Sequence, residues 1–265
     1  MNFFAAPIRL LWKHRALLLQ TTRNDIRARY AGSVLGLAWL LFYPLLFLGT
    51  YALVYIFVFK VRFALFNSNE YVVLIFCGLI PFLGFAEALG TGVSSVSSNA
   101  NLIKNTLYPI ELIPVKAVLA SQCTQIAGLI MLLVTVGLLG RLTWWALLLP
   151  LIWMLQICFT TGLIWILSSL NVLARDLQNI VGILVLILMM ASPIAYTADM
   201  IPARLRPLLG INPLYYMIIS YQECLMLGRW PSQGVLWVLA GLAIGGFWGG
   251  HWFFCRMKRV FVDNV

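Results

Sequence analysis

The chain of 265 residues is 62% hydrophobic and only 10% charged, with a mean hydropathy of +0.95 and a formal net charge of +10. A soluble domain of that length cannot hide so much apolar surface, so a water-soluble enzyme or binding module is excluded and lipid becomes the main solvent. The positive charge does not mark a nucleic-acid binder, because the basic residues flank apolar runs and build no separate basic face.

Residues 3–20 predict an amphipathic helix, with Phe4, Ile8, Leu11, Trp12, Leu18 and Leu19 on one side and Arg9, Lys13 and Gln20 opposite. Arg15 falls within the apolar arc. Such a helix lies along the membrane surface, its Trp at headgroup depth and its basic face toward lipid phosphates or a partner. Six basic residues precede the first long apolar run, a pattern unlike a cleavable signal peptide.

Six apolar runs follow, at 35–59, 71–94, 117–140, 142–174, 177–198 and 231–255, the second interrupted only by Glu87. A helix needs roughly 20 apolar residues to cross a bilayer, and the short alternating strands of a membrane β-barrel are not the pattern here. The predicted fold is therefore all-α and polytopic, one transmembrane domain of about six spanning helices over 35–255. A surface segment at 1–34 precedes it and a short tail at 256–265 follows. With six spans and an inner N-terminus, Arg9, Lys13, Arg15, Arg23, Arg27, Arg29, Lys104, Lys116, Arg175, Arg256, Lys258 and Arg259 fall inside. Only Lys60, Arg62, Arg141, Arg204, Arg206 and Arg229 fall outside, so the positive-inside rule places both termini in the cytoplasm.

Within the first run Trp39, Tyr43, Phe47, Tyr51 and Tyr55 recur every four residues, one aromatic stripe along the helix. Either it lines a path over which sugar rings pass, or it packs against lipid and neighbouring helices. Between the second and third runs, 94–111 is rich in Ser and Asn, and Leu102, Ile103 and Leu107 give it an apolar stripe suited to a short surface helix. Pro193, Pro202, Pro207 and Pro213 punctuate the stretch after the fifth run, where 207–222 is uncharged but too short to cross. It reads as short re-entrant helices on the outer side, shielded by protein or a water-filled cavity. The last run carries Gly241, Gly245, Gly246, Gly249 and Gly250, whose small-xxx-small spacings permit close helix packing.

Catalytic chemistry needs a convergent acid, base, nucleophile or metal site. His14 and His251 are the only histidines, the eight carboxylates have no metal-ligand spacing, and no lysine follows a glycine as a phosphate-cradling loop requires. Glu87 is the one carboxylate inside an apolar run. It reads either as a coupling group held at membrane depth or as a carboxylate near the span end that reaches water. A membrane glycosyltransferase or acyltransferase would require a cluster that these residues do not supply. The reading is a transport subunit without enzymatic activity, its energy coming from elsewhere.

The motifs resemble the permease subunits of type-2 ABC exporters, and within them the polysaccharide and O-antigen group. The resemblance rests on Asp25-Ile26-Arg27-Ala28-Arg29-Tyr30-Ala31-Gly32-Ser33-Val34-Leu35-Gly36 with Trp39 and Pro44, on Gly78-Leu79-Ile80-Pro81-Phe82, and on Asn99-Ala100-Asn101-Leu102-Ile103-Lys104 leading to Tyr108-Pro109 and Glu111-Leu112-Ile113-Pro114. Arg175-Asp176, Ser192-Pro193-Ile194-Ala195-Tyr196 and Asn212-Pro213 continue it in order over nearly the whole chain. It implies a homodimer in the bacterial inner membrane, paired with two ATP-binding subunits that carry the ATP and magnesium. This chain holds no cofactor or metal, and the cargo is a lipid-linked glycan, with teichoic acid or a small amphiphile as the alternative. In that picture Arg9, Lys13, Asn101, Leu102 and Lys104 meet the ATP-binding subunits. Trp39, Tyr43, Phe47, Tyr51, Tyr55 and Tyr196 line the substrate path. Arg27 and Arg29 either admit the lipid diphosphate, which suits guanidinium forks, or serve as positive-inside topology determinants.

Overall fold

A computed structural model describes residues 5–54, 67–99, 108–194, 209–232 and 234–264. In chain order the α-helices are α1 (Ala5–Lys13), α2 (Arg15–Tyr30), α3 (Trp39–Leu53), α4 (Ser68–Gly92), α5 (Ser95–Ser98), α6 (Leu112–Leu138), α7 (Leu149–Leu173), α8 (Leu177–Ala191), α9 (Pro213–Leu225) and α10 (Val235–Asn264). Short 3-10 turns at Gly36–Ala38 and Trp144–Leu148 lead into α3 and α7. Among the described residues five helical stretches are long and apolar enough to cross a membrane: Gly36–Leu53, Asn69–Gly92, Leu112–Leu138, Trp144–Leu173 and Val235–Lys258. The fifth apolar run, 177–198, is represented by the shorter Leu177–Ala191. The chain is thus an all-α polytopic membrane protein.

Helix α4 is the hub. It starts with a capping box in which Asn67 and Glu70 satisfy each other's backbone N–H groups, and 78% of its crossing stretch is buried, against 11% for α3. Its neighbours are α6 on one side and α9 on another, where Gly78 lets the backbone approach so closely that a Cβ there would lie 2.9 Å from Ile218 Cγ2. The most extensive helix pairing joins α7 to α10. Gly162 sits against the backbone of Gly246 and Gly250. Of the predicted glycine spacings only the 246/250 pair is used in this way; Gly241, Gly245 and Gly249 face open space.

The described ends of the chain lie at one end of the bundle. Asp25 of α2 accepts from Lys116 near the start of α6 (3.0 Å), and Lys258 of α10 donates to Glu111 beside it (2.8 Å). The opposite end carries the Glu70–Arg141 pair and the buried Glu223, which accepts from Arg229 and from Ser232.

Two predicted elements change shape. The helix expected over 3–20 is broken at His14, whose backbone (φ −106, ψ 19) leaves the helical region, and a second helix then runs on to Tyr30. The cause is tertiary. Leu18 is buried with Leu10 and Leu11 against Val96, Trp165 and Phe247, while Thr21 Oγ1 shares a hydrogen bond with the Tyr108 hydroxyl (3.2 Å). Ile8, Trp12 and Leu19 remain exposed as an apolar outer face. The Arg15 guanidinium lies 4.7 Å above the Trp12 ring and donates to the Trp12 carbonyl, which explains a cation in that arc. The re-entrant expectation at 207–222 is represented by α9, 13 residues long and so short of a crossing. Residues 217–225 are all buried. Its N-terminus is capped by Asn212, which accepts from the Leu214 N–H (3.0 Å) and donates to Ser192 Oγ (2.9 Å).

Candidate functional site at the α3–α4–α6 cavity

The chain turns from α2 into α3 through Gly32 and Gly36, whose φ values of 77° and 50° no side-chain-bearing residue adopts without strain. That turn brings the end of α2 and the start of α3 over the α4–α6 pair. The four elements enclose a cavity of ≈ 420 Å³. Ile80, Leu83, Gly84 and Glu87 recur at helical spacing and so form one face of α4; Thr124, Gln125 and Gly128 do the same on α6. Trp39, Tyr43 and Pro44 supply the α3 wall, and Arg29 and Tyr30 of α2 stand at the mouth.

Arg29 and Glu87 form an ion pair at that mouth, their side chains 32% and 26% exposed. Among the described residues they are the only charged ones of the lining, which is otherwise mostly apolar. At the floor Gln125 is already committed. It exchanges reciprocal amide hydrogen bonds of 2.9 Å with Gln156 of α7, the Tyr221 hydroxyl of α9 donates to Gln156 Oε1 (2.8 Å), and Gln156 Nε2 also donates to the Pro81 carbonyl (3.0 Å). Buried amides require such pairing, and the network ties α4, α6, α7 and α9 into a node directly behind the cavity. Gly84 has no Cβ because Gln125 fills that space.

The aromatic stripe divides. Trp39 donates from Nε1 to Ser33 Oγ (2.9 Å), and Tyr43 is half exposed; both line the cavity. Phe47 and Tyr51 instead pack on the hydrophobic core, with ring centroids 6.1 Å from Tyr43 to Phe47 and 5.1 Å from Phe47 to Tyr51. Arg27 is exposed and is not part of the lining, while Arg9 and Lys13 are exposed on α1. Tyr55, Tyr196, Asn101, Leu102 and Lys104 lie outside the described residues.

Outside the spans, burial holds the Tyr108 phenol above its usual range, so it stays neutral beside Thr21. The residues that sequence reasoning did not assign are Glu87 as the partner of Arg29, Asp25 as the partner of Lys116, and the Gln125–Gln156–Tyr221 node. Glu87 carried a signal as the lone carboxylate in an apolar run. The two glutamines are uncharged polar residues inside separate runs, and nothing in the sequence pairs them.

The ABC-2 type transporter family matches residues 16–226, which include all of α2 but its first residue, the whole cavity lining and α9. The chain belongs to the ABC-2 type transporter family. This ABC-2 protein is 28% identical over 261 residues to the O-antigen export system permease protein RfbA of Myxococcus xanthus, covering 97% of the chain and 98% of the relative. Two proteins of the same name from Klebsiella pneumoniae are 33% and 35% identical to it over 241 residues, 86% of the chain and 90% of each relative. The family match stops before α10, so the α7–α10 glycine contact lies half outside the matched region of the ABC-2 protein.

Proposed function

We propose that this ABC-2 protein is the permease subunit of an exporter that moves a lipid-linked polysaccharide of O-antigen type from the cytoplasm across the bacterial inner membrane. The observation that carries the reading is near end-to-end similarity to permeases named for O-antigen export. ATP is bound and hydrolysed in separate subunits, two per homodimer, which also hold the magnesium. Both termini are cytoplasmic, a reading supported by twelve basic residues on that side against six and by the approach of α2 and α10 to the same end of α6. The exposed apolar faces of α3 and α8 support burial against lipid and a second copy. Exposed Arg9 and Lys13, together with Asn101, Leu102 and Lys104, are the proposed contacts of the ATP-binding subunits, and Arg29 admits the lipid diphosphate.

The deciding experiment replaces the permease gene of an O-antigen-exporting strain with this one, alongside its own ATP-binding partner, and measures surface polysaccharide. Restored export supports the reading; polymer retained inside, with both proteins present in the membrane, overturns it. The purified chain alone hydrolyses no ATP, and hydrolysis appears on adding the partner. Reporters after Val265 and near Asn101 read cytoplasm and one near Arg204 reads the other side; finding Asn101 and Arg204 on the same side refutes the six-span arrangement.

A further inference from the structure

We infer that Glu87 is a displaceable stand-in for phosphate: it holds Arg29 at the mouth of the α3–α4–α6 cavity until the diphosphate of a lipid takes its place, and the lipid's first hydrocarbon units then enter the cavity. The inference rests on the permease reading above for the nature of the lipid, and on the cavity for everything else.

Among the described residues lining the cavity Arg29 is the only cation and Glu87 the only anion. A carboxylate offers the guanidinium one negative charge; a diphosphate offers more charge and more acceptor oxygens in the bidentate geometry that arginine matches. The pair is about one-third exposed on the arginine side and one-quarter on the glutamate side, so an anion arriving at the mouth can reach it. Exchange at Arg29 is then decided by which anion offers the guanidinium more charge and more acceptor oxygens.

Behind the pair the chemistry changes. Tyr43, Pro44, Ile80, Leu83, Ala86 and Gly128 give a largely apolar wall, and Gln125, the amide at its floor, is spent on Gln156 and Tyr221. A sugar ring buried there would meet only the hydroxyls of Tyr43 and Thr124 and leave its other hydroxyls without partners, at a cost that hydrocarbon does not incur. The cavity thus selects the lipid end of the cargo and leaves the glycan outside it. Its depth suits this role, since Ile80 lies seven residues from Glu87 along α4, about 10 Å at helical rise, and its volume of ≈ 420 Å³ is in the range of small-ligand sites. The mouth opens at the bundle end where the described termini gather, the level at which headgroup phosphates meet basic residues.

The test uses the full chain with its ATP-binding partner in phosphatidylcholine nanodiscs, with farnesyl diphosphate as ligand and farnesol and inorganic pyrophosphate as its separated halves. Calorimetric Kd values and thermal stability are read for each variant. Farnesyl diphosphate is expected to bind about tenfold or more tighter than either half; Glu87→Gln, which frees Arg29, tightens it by about tenfold, and Arg29→Gln weakens it by at least as much. Leu83→Trp, which fills the cavity one turn of α4 from Glu87, leaves pyrophosphate binding in place, abolishes the advantage of farnesyl diphosphate over pyrophosphate and keeps the inference testable if Arg29→Gln does not fold. Binding that is indifferent to both Arg29→Gln and Leu83→Trp overturns the inference, as does Glu87→Gln weakening the ligand with stability unchanged. Phosphatidylglycerol in the discs competing as strongly as the diphosphate lipid also overturns it, by making the cavity a general phospholipid site. Failure of these binding arms with export intact leaves the permease reading standing; failure of export with binding intact removes that reading alone.

Discussion

Gly250 of α10 stands directly over the backbone of Gly162 of α7, so that a Cβ at Gly250 would fall 2.7 Å from the Gly162 Cα. No side-chain rotation relieves a clash with backbone. Gly162→Ala and Gly250→Ala are therefore expected to force the helices apart and destabilise the protein by about 1–3 kcal/mol, or more where the pairing cannot shift. Gly245→Ala, with nothing within 4 Å, is the matched control and leaves stability unchanged or slightly raised. Thermal unfolding of the three variants in detergent checks this.

The Gln125–Gln156–Tyr221 node predicts unequal costs. Gln156→Leu removes the 2.9 Å partner of the Gln125 amide and the acceptor of the Tyr221 hydroxyl, leaving them only their 3.4 Å contact with each other, and should cost about 1–3 kcal/mol. Tyr221→Phe removes one hydroxyl and costs about 1 kcal/mol. The double variant should cost less than the sum, because both changes break the same bond. Additive losses in thermal denaturation would count against a connected node.

Lys116 is the more buried partner of its pair, 7% exposed at the side chain against 41% for Asp25. Asp25→Ala strands a buried ammonium, which among the described residues keeps only the Asn99 side-chain oxygen at 3.4 Å, and should destabilise by about 1–3 kcal/mol. Lys116→Met removes the buried charge and leaves a carboxylate that water can reach, so the loss is smaller. Equal losses would show that α2 is not held on α6 by this pair.

Along the aromatic stripe, Trp39→Ala and Tyr43→Ala should reduce export while changing the melting temperature little, because these rings line the cavity and are already partly exposed. Phe47→Ala and Tyr51→Ala leave holes against the core cluster. Their cost is about 1–3 kcal/mol, below that of a fully buried aromatic, and the yield of folded protein should fall with it. Export and stability measured on all four variants separate the two ends of the stripe; a uniform response would mean that the stripe is one surface.

The span pattern was legible because lipid imposes it: a stretch either is long and apolar enough to cross or it is not. The resemblance at 25–36 likewise marked the α2–α3 turn and Arg29. What composition hid were pairings between distant polar residues. Glu87 could be seen as unusual, but its partner lies 58 positions away, and Gln125 meets Gln156 only because α6 and α7 pack side by side. The His14 break was hidden for the same reason, since the amphipathic pattern of 3–20 takes no account of Tyr108 and Lys116 pulling the next turns of helix inward. In the stripe, a four-residue period identified one face without saying that its lower half meets a cavity and its upper half a core.

Helix α9 has a consequence for how the protein is made. A segment of 13 residues containing Glu223 is too short and too polar to partition into lipid by itself as it leaves the ribosome, whereas Gly36–Leu53 can. Its stability is borrowed from surfaces translated earlier: Gly78 of α4 receives Ile218, Gln156 of α7 receives Tyr221, and the Pro193 carbonyl receives Gln222. Insertion of α9 must therefore wait until α4 and α7 stand side by side in the membrane. The order of synthesis, in which both precede it by dozens of residues, supplies the docking site before the segment that needs it emerges.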